Sequence, residues 1–220
     1  MPRLQALQTL TDEAARREVA RDLGVPPKKK IVLFALGNMA PHAYFHLNYL
    51  QIEKQRVCRE MLEQLSRLAR KRQDLHVIVK LKPSASDPAE SLRREWGVLE
   101  HESFQLEGRP YDMATLVRAC DLVAHSYSTV AYEAMLAKKP VICVNGPEEF
   151  SGWEFLGEGV EQVYLPDADT LEPLVEKMLY DESFRKAYFA RVSDYLAAFH
   201  SKQDLHVQER VLQLIQNGSD

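Results

Sequence analysis

Apolar residues fall into two alternating patterns along the chain. Continuous apolar runs occur from Ile31 to Leu36, within HVIVKL at 76–81, from Leu122 to Ala124 and within PVICVN at 140–145. A run without polar alternation predicts a strand buried on both faces, as in a parallel sheet. Between the runs, apolar positions recur at helical spacing. Val57, Met61, Leu65 and Leu68 mark one side of a helix predicted over 52–71. Residues 11–23 predict an amphipathic helix, with Thr11 as N-cap, acids in the first turn and Gly24 beyond its end. Pro26 and Pro27 break the chain after it. Shorter helices are predicted over 88–96, from Asp112 to near Cys120, and over 130–137; SFQLEG at 103–108 and residues 163–165 read as short strands. Helices over 169–180, 182–198 and 204–216 complete the pattern.

Strands alternating with helices predict an α/β fold. The expected form is a Rossmann-like three-layer domain with a mostly parallel sheet and helices on both faces. The pattern divides into a leading helix and linker over 1–27, a Rossmann-like domain over 28–200 and a C-terminal helix over 201–220. Composition changes this picture little. With 220 residues, one core is large enough to need no covalent staples. A net charge of −4 argues against a general nucleic-acid surface, while leaving room for a local basic pocket. Cys58, Cys120 and Cys143 form no CxxC pair and read as reduced, buried thiols of a cytoplasmic protein. No apolar run approaches the roughly 20 residues of a membrane span, and the first residues carry no apolar signal-peptide stretch.

Ligands of such sheets bind beyond the carboxyl ends of the strands. The loops of interest are therefore 37–50, 82–87, 125–129 and 145–153. The third is the most informative, in LVRACDLVAHSYSTVAYEAMLAKKPVICVN. A strand predicted to end at Ala124 leads through small hydroxyl residues into a helix, whose first backbone N–H groups and positive dipole end suit a phosphate. Ser126, Ser128 and Thr129 add hydroxyl donors, although Ser128 or Thr129 equally suits a plain N-cap. Glu133 shares a face with Thr129 at i,i+4 and is placed to accept hydrogens from a ribose, if it is not simply a solvated residue. His125 is the best local general acid/base, and the alternative is a strand-end histidine with a structural hydrogen bond.

Residues 115–145 resemble the signature of the carboxyl-terminal, donor-binding domain of GT-B glycosyltransferases. They are closest to capsule and teichoic-acid enzymes such as CDP-glycerol glycerophosphotransferases and to the related UDP-N-acetylglucosamine epimerases. The resemblance rests on Cys120-Asp121, Ser128-Thr129, Glu133-Ala134 and Lys139-Pro140-Val141. It implies that Ser128 and Thr129 hold the donor phosphate and that Glu133 holds the ribose. VIVKLKP at 77–83 resembles the family's K-x-His-Pro turn, with Lys82 in place of the histidine. Lys80 and Lys82 are then phosphate-facing cations, or else solvated edge charges. Gly37 and Asn38 match the family's first phosphate-facing loop, where glycine permits close backbone approach.

The resemblance implies half of a GT-B architecture. Its expected function is binding a nucleotide-sugar or nucleotide-polyol donor, such as a UDP-sugar or CDP-glycerol, for a transferase of surface polysaccharide biosynthesis. The donor is substrate, and no cofactor is implied. The expected partner is an acceptor-binding amino-terminal domain or subunit, with peripheral membrane association of the complete enzyme left open. Alternatives are a sugar-nucleotide epimerase or hydrolase half and a non-catalytic nucleotide-binding scaffold. Other chemistries lack their motifs: there is no GxGxxG after Leu36, no GxxxxGK[ST] and no GxSxG around Ser126. His42 and His46 have the i,i+4 spacing of metal ligands, but Ala43 stands where zincins carry glutamate, and Pro41 and the aromatic neighbours point to loop or core packing.

Overall fold

The computed structural model describes residues 7, 9–36, 49–81, 88–98, 100–108, 111–126, 128–145, 161–164 and 171–199. The described strands are β1 (Lys30–Leu36), β2 (Leu75–Lys80), β3 (Phe104–Glu107), β4 (Leu122–Ser126), β5 (Val141–Asn145) and β6 (Glu161–Tyr164). The described helices are α1 (Asp12–Leu23), α2 (Tyr49–Lys71), α3 (Pro88–Trp96), α4 (Met113–Ala119), α5 (Val130–Leu136), α6 (Leu171–Tyr180) and α7 (Glu182–Phe199). The helix expected over 204–216 lies outside the described residues.

The caps follow the sequence reading. The Thr11 hydroxyl accepts the Ala14 N–H, and α1 ends at Gly24 with φ +68°, a left-handed conformation that glycine adopts without a Cβ clash. The Asp112 carboxylate caps α4 by accepting the Thr115 N–H at 3.0 Å. At the end of α5, Lys138 takes φ +56° and Lys139 N–H returns to the Ala134 carbonyl at 2.9 Å.

All strand pairs are parallel, in the order β3-β2-β1-β4-β5-β6. This is the three-layer α/β fold expected. Five residues of β1, from Val32 to Leu36, pair in register with Leu122 to Ser126. The strand predicted to stop at Ala124 therefore runs two residues further, because β1 continues to offer backbone partners to His125 and Ser126. The interior positions of β1 and every position of β2 are buried, which explains their unalternating apolar pattern. Each fully buried Val, Leu, Ile or Phe contributes roughly 1.5–3 kcal/mol of transfer free energy. Helix α2 packs on β2, β4, β5 and α6, while α1 packs on α4, and α4 and α5 reach β1, β4 and β5. Tyr188 of α7 is fully buried, and its hydroxyl accepts the Val141 N–H at 3.0 Å.

Charged groups fasten the amino-terminal edge of the sheet. Asp121, just before β4, accepts the Ile31 N–H at 2.8 Å and meets Arg16 of α1 at 2.9 Å and Lys30 at 3.2 Å. Arg16 also donates to the Lys29 and Ala119 carbonyls. Lys139, 9% exposed, donates to Asp12 at 2.8 Å, and Arg118 donates to the Leu7 carbonyl at 2.6 Å and to Asp12 at 3.3 Å. Helix α1 is thus tied by ion pairs to the start of β4 and to the approach to β5.

Burial pushes the Asp121 carboxyl up, but the Ile31 amide and Arg16 outweigh it, so its pKa lies below the ordinary carboxylate value. Its contribution to stability is therefore complete above the unfolded carboxylate pKa near 4 and is lost as pH falls through the lower folded value. Asp121→Ala should cost about 3 kcal/mol at pH 7, because it leaves Arg16 and the Ile31 amide without their partner. In urea unfolding, the gap between wild type and Asp121→Asn should narrow between pH 7 and pH 3. A gap independent of pH would show that the charge of Asp121 contributes nothing.

Candidate functional site

In the strand order β3-β2-β1-β4-β5-β6, the chain builds out from β1 to β3 on one side and then crosses to β4 on the other, so the switch point lies between β1 and β4. In open α/β sheets of this kind, ligands bind in the crevice beyond the carboxyl ends of the strands at such a switch point. Leu36 and Ser126 close the register between them. Gly37 follows the first in sequence, and Ser128 and Thr129 follow the second. The sheet therefore brings the end of β4 and the start of α5 to this crevice.

His125 is completely buried within β4, between Ala35 of β1 and Cys143 of β5. Its Nδ1 accepts the Ser128 N–H at 3.3 Å, which leaves the hydrogen of the neutral ring on Nε2. Nε2 is buried and meets no hydrogen-bond partner among the described residues. Loss of hydration pushes the His125 pKa down to about 4. The buried ring is therefore neutral at pH 7.

The Ser128 hydroxyl accepts the Val130 N–H at 3.3 Å, so Ser128 satisfies the first turn of α5. Thr129 occupies the N-cap position, yet its side chain makes no capping bond, and the residue is exposed. Of the two hydroxyls the sequence could not separate, one is engaged in the helix start and the other faces outward. Glu133 lies one turn further, half-buried, on the same helix face as Thr129.

Lys80 is not the solvated edge charge that the sequence left as the alternative to a phosphate-facing cation. It is 4% exposed, and its ammonium donates to the Leu81 carbonyl at 2.9 Å and the Glu107 carbonyl at 3.4 Å. Register accounts for this: Lys80 lies between Ala35 and Glu107, inside the sheet rather than at its rim. Glu107, Lys80, Ala35, His125 and Cys143 form one lateral row across five strands, all buried. Residues at one level of a parallel sheet share a face, so the row sets three polar side chains and a thiol one layer beneath the carboxyl edge. Glu107 was missed from sequence. Its only signal is an acid in a short strand whose neighbours are bulky, and that is weak without the register.

Gly37, Asn38 and Lys82 lie outside the described residues, as does the side chain of Ser126. So do His42 and His46; among the described residues, no three His, Cys, Asp or Glu side chains converge as metal ligands. No described helix is long and apolar enough to cross a membrane. A groove of about 740 Å³ lies between α2 and α6, lined by Arg67, Lys71, Glu172 and Glu176 among others. It sits where α2 approaches the amino end of β2, away from the crevice, and Lys71 pairs with Glu172 beside it.

A doubly wound parallel sheet with a crevice at its switch point defines the class of fold. Within that class, the fold is that of the carboxyl-terminal domain of GT-B glycosyltransferases. The wall teichoic acid polymerase TagF, in an H444N variant soaked with CDPG, superposes with a TM-score of 0.60 at 15% identity, over 98% of this chain and 48% of that one. HepE from Anabaena, in complex with UDP and glucose, superposes with a TM-score of 0.56 at 15% identity, over 94% of this chain and 55% of HepE. The C-terminal domain of the group 1 glycosyl transferase LpcC from Francisella tularensis superposes with a TM-score of 0.54 at 16% identity, over 87% of this chain and 98% of that domain. The chain thus spans about half the length of TagF and HepE and nearly the whole of the isolated LpcC domain. No protein-family model and no curated protein sequence matches it.

The division of labour between the two hydroxyls is measurable. Ser128→Ala should destabilise the fold by about 1 kcal/mol, as loss of a helix-start acceptor does. Thr129→Val should stay within about 0.5 kcal/mol of wild type. Urea unfolding of both variants reads the difference, and equal effects would contradict it. The ring resonances of His125 should hold constant between about pH 5.5 and 8 in NMR titration. A midpoint near the ordinary histidine value would show that the ring is hydrated.

Proposed function

We propose that the chain is the nucleotide-donor-binding domain of a glycosyltransferase, with the donor in the crevice between the carboxyl ends of β1 and β4. The observation that carries this reading is the position of Thr129. Its exposed hydroxyl, uncommitted to capping, stands at a helix start at the switch point, with Glu133 one turn further. A phosphate would meet the Thr129 hydroxyl and the backbone donors around it. The carboxylate of Glu133 would accept from both ribose hydroxyls. Ser126, Gly37, Asn38 and Lys82 belong to the same edge by sequence position, and Lys82 would offset part of the charge of a diphosphate, while Lys80 lies buried one layer beneath. The ligands named for two fold neighbours, CDPG for TagF and UDP with glucose for HepE, support a nucleotide-activated donor.

In this reading the transfer itself occurs against a second, acceptor-binding domain or subunit, which would supply the base for the acceptor hydroxyl. The product class is a surface polysaccharide or polyol-phosphate polymer, by likeness to TagF. Three buried free thiols suit a reducing, cytoplasmic setting.

Titration calorimetry with UDP, CDP and their sugar or glycerol conjugates, at fixed salt because phosphate contacts are screened, tests the reading. Charge-assisted hydrogen bonds are worth roughly 1.5–3 kcal/mol each, so Glu133→Ala should weaken binding about tenfold or more. Thr129→Val should weaken it less, since the backbone donors remain. Glu176→Ala, which removes a partner of Arg72 on α6, should leave affinity unchanged. Equal affinity of wild type and Glu133→Ala, or no binding of any of these ligands to wild type, would overturn the reading.

A further inference from the structure

We propose that His125 is a positioning residue of the donor site, holding the Ser128 backbone so that the turn from β4 into α5 presents Thr129 and Glu133 to the nucleotide. This rests on the donor-site reading above. Two bonds in series carry it. His125 Nδ1 accepts the Ser128 N–H at 3.3 Å, and the Ser128 hydroxyl accepts the Val130 N–H at 3.3 Å. Together they staple a central strand to the first turn of the helix that follows, across the segment that would surround a phosphate.

The strand end of this staple is rigid. His125 has no exposed surface, and its backbone is paired on both sides, to β1 and to β5. Its neighbours in the lateral row are the methyl of Ala35 and the thiol of Cys143, so no charged group lies directly beside it at that level of the sheet. The Ser128 amide is part-buried, and a fixed acceptor in the strand holds it in one orientation where water would not. An imidazole held neutral supplies that acceptor from within an apolar sheet without bringing a charge.

The alternative is direct proton exchange with the substrate. A general acid or base must come within about 3 Å of the atom it serves, directly or through one water. A ring with no exposed surface meets that condition only by leaving its place. The staple needs no movement, and it explains why the buried polar residue stands three positions before the hydroxyl it steers.

Substitution by shape separates these roles. In asparagine, Oδ1 lies as many bonds from Cα as Nδ1 does in histidine, so His125→Asn retains an acceptor for Ser128. His125→Gln places its amide one bond further out, and His125→Leu supplies no acceptor. Calorimetry with UDP and CDP should find His125→Asn within about threefold of wild type, and His125→Gln and His125→Leu weakened about tenfold or more. Hydrogen exchange should show the Ser128 amide protected in wild type and in His125→Asn, and exposed in His125→Gln. This second readout needs only the asparagine and glutamine variants, should leucine prevent folding. Wild-type affinity in His125→Gln, with Glu133→Ala still weakened, would overturn the positioning role while leaving the donor site intact. Absence of UDP and CDP binding in wild type would instead overturn the donor site. Loss of binding in His125→Asn equal to that in His125→Leu would show that the imidazole acts by something other than its Nδ1 acceptor.

Discussion

A parallel sheet places every strand's amino end on one edge and every carboxyl end on the other. That constraint sorts this protein's polar residues. All described pairings are parallel, so the two ends of any strand have unlike surroundings. Strand β4 shows the consequence most directly. Asp121 precedes it and binds Arg16, Lys30 and the Ile31 amide; His125, near its far end, binds the Ser128 amide. Three residues, Leu122 to Ala124, thus separate a site of charge pairing from a site that carries no charge of its own.

The stretch 115–145, which reads as one motif, is therefore two devices joined by a strand. Its flanks, Asp121 and Lys139, are structural ions that fix α1 to the sheet. Its middle, from His125 to Glu133, carries the end of β4 and the first turns of α5. An unpaired charge on the flanks costs several kcal/mol because solvent reaches it poorly. A helix start in the middle is completed by a serine hydroxyl at about 1 kcal/mol. The flanks therefore bear on folding; in the proposed reading the middle bears on ligand.

The strands were legible because burial on both faces removes polar alternation, as at 31–36 and 76–81. Caps at Thr11 and Asp112 were legible because their chemistry is local. What escaped depends on partners distant in sequence. Nothing in the order Ala-His-Ser says that β1 keeps pairing through His125 and Ser126. Lysine normally seeks water, and only register with Ala35 and Glu107 places Lys80 inside. The serine-threonine pair was recognisable as a helix start, but which hydroxyl turns inward depends on the angle at which the chain leaves the sheet. The lateral row through Glu107, Lys80 and His125 joins residues from three separate strands, so no sequence window contains it.

Helix α1 has a bearing on how this unit can be moved between chains. It carries Asp12 and Arg16, the counter-ions of Lys139 and Asp121, and it buries Ala15 and Val19. It is part of the domain's charge balance, although a proline-broken stretch separates it from β1 in sequence. A recombinant or chimaeric unit cut at the prolines would inherit Lys139 without Asp12 and Asp121 without Arg16, though still with Lys30 and the Ile31 amide, together with a bared apolar face on α4. The transferable module includes α1 and Leu7, whose carbonyl receives Arg118.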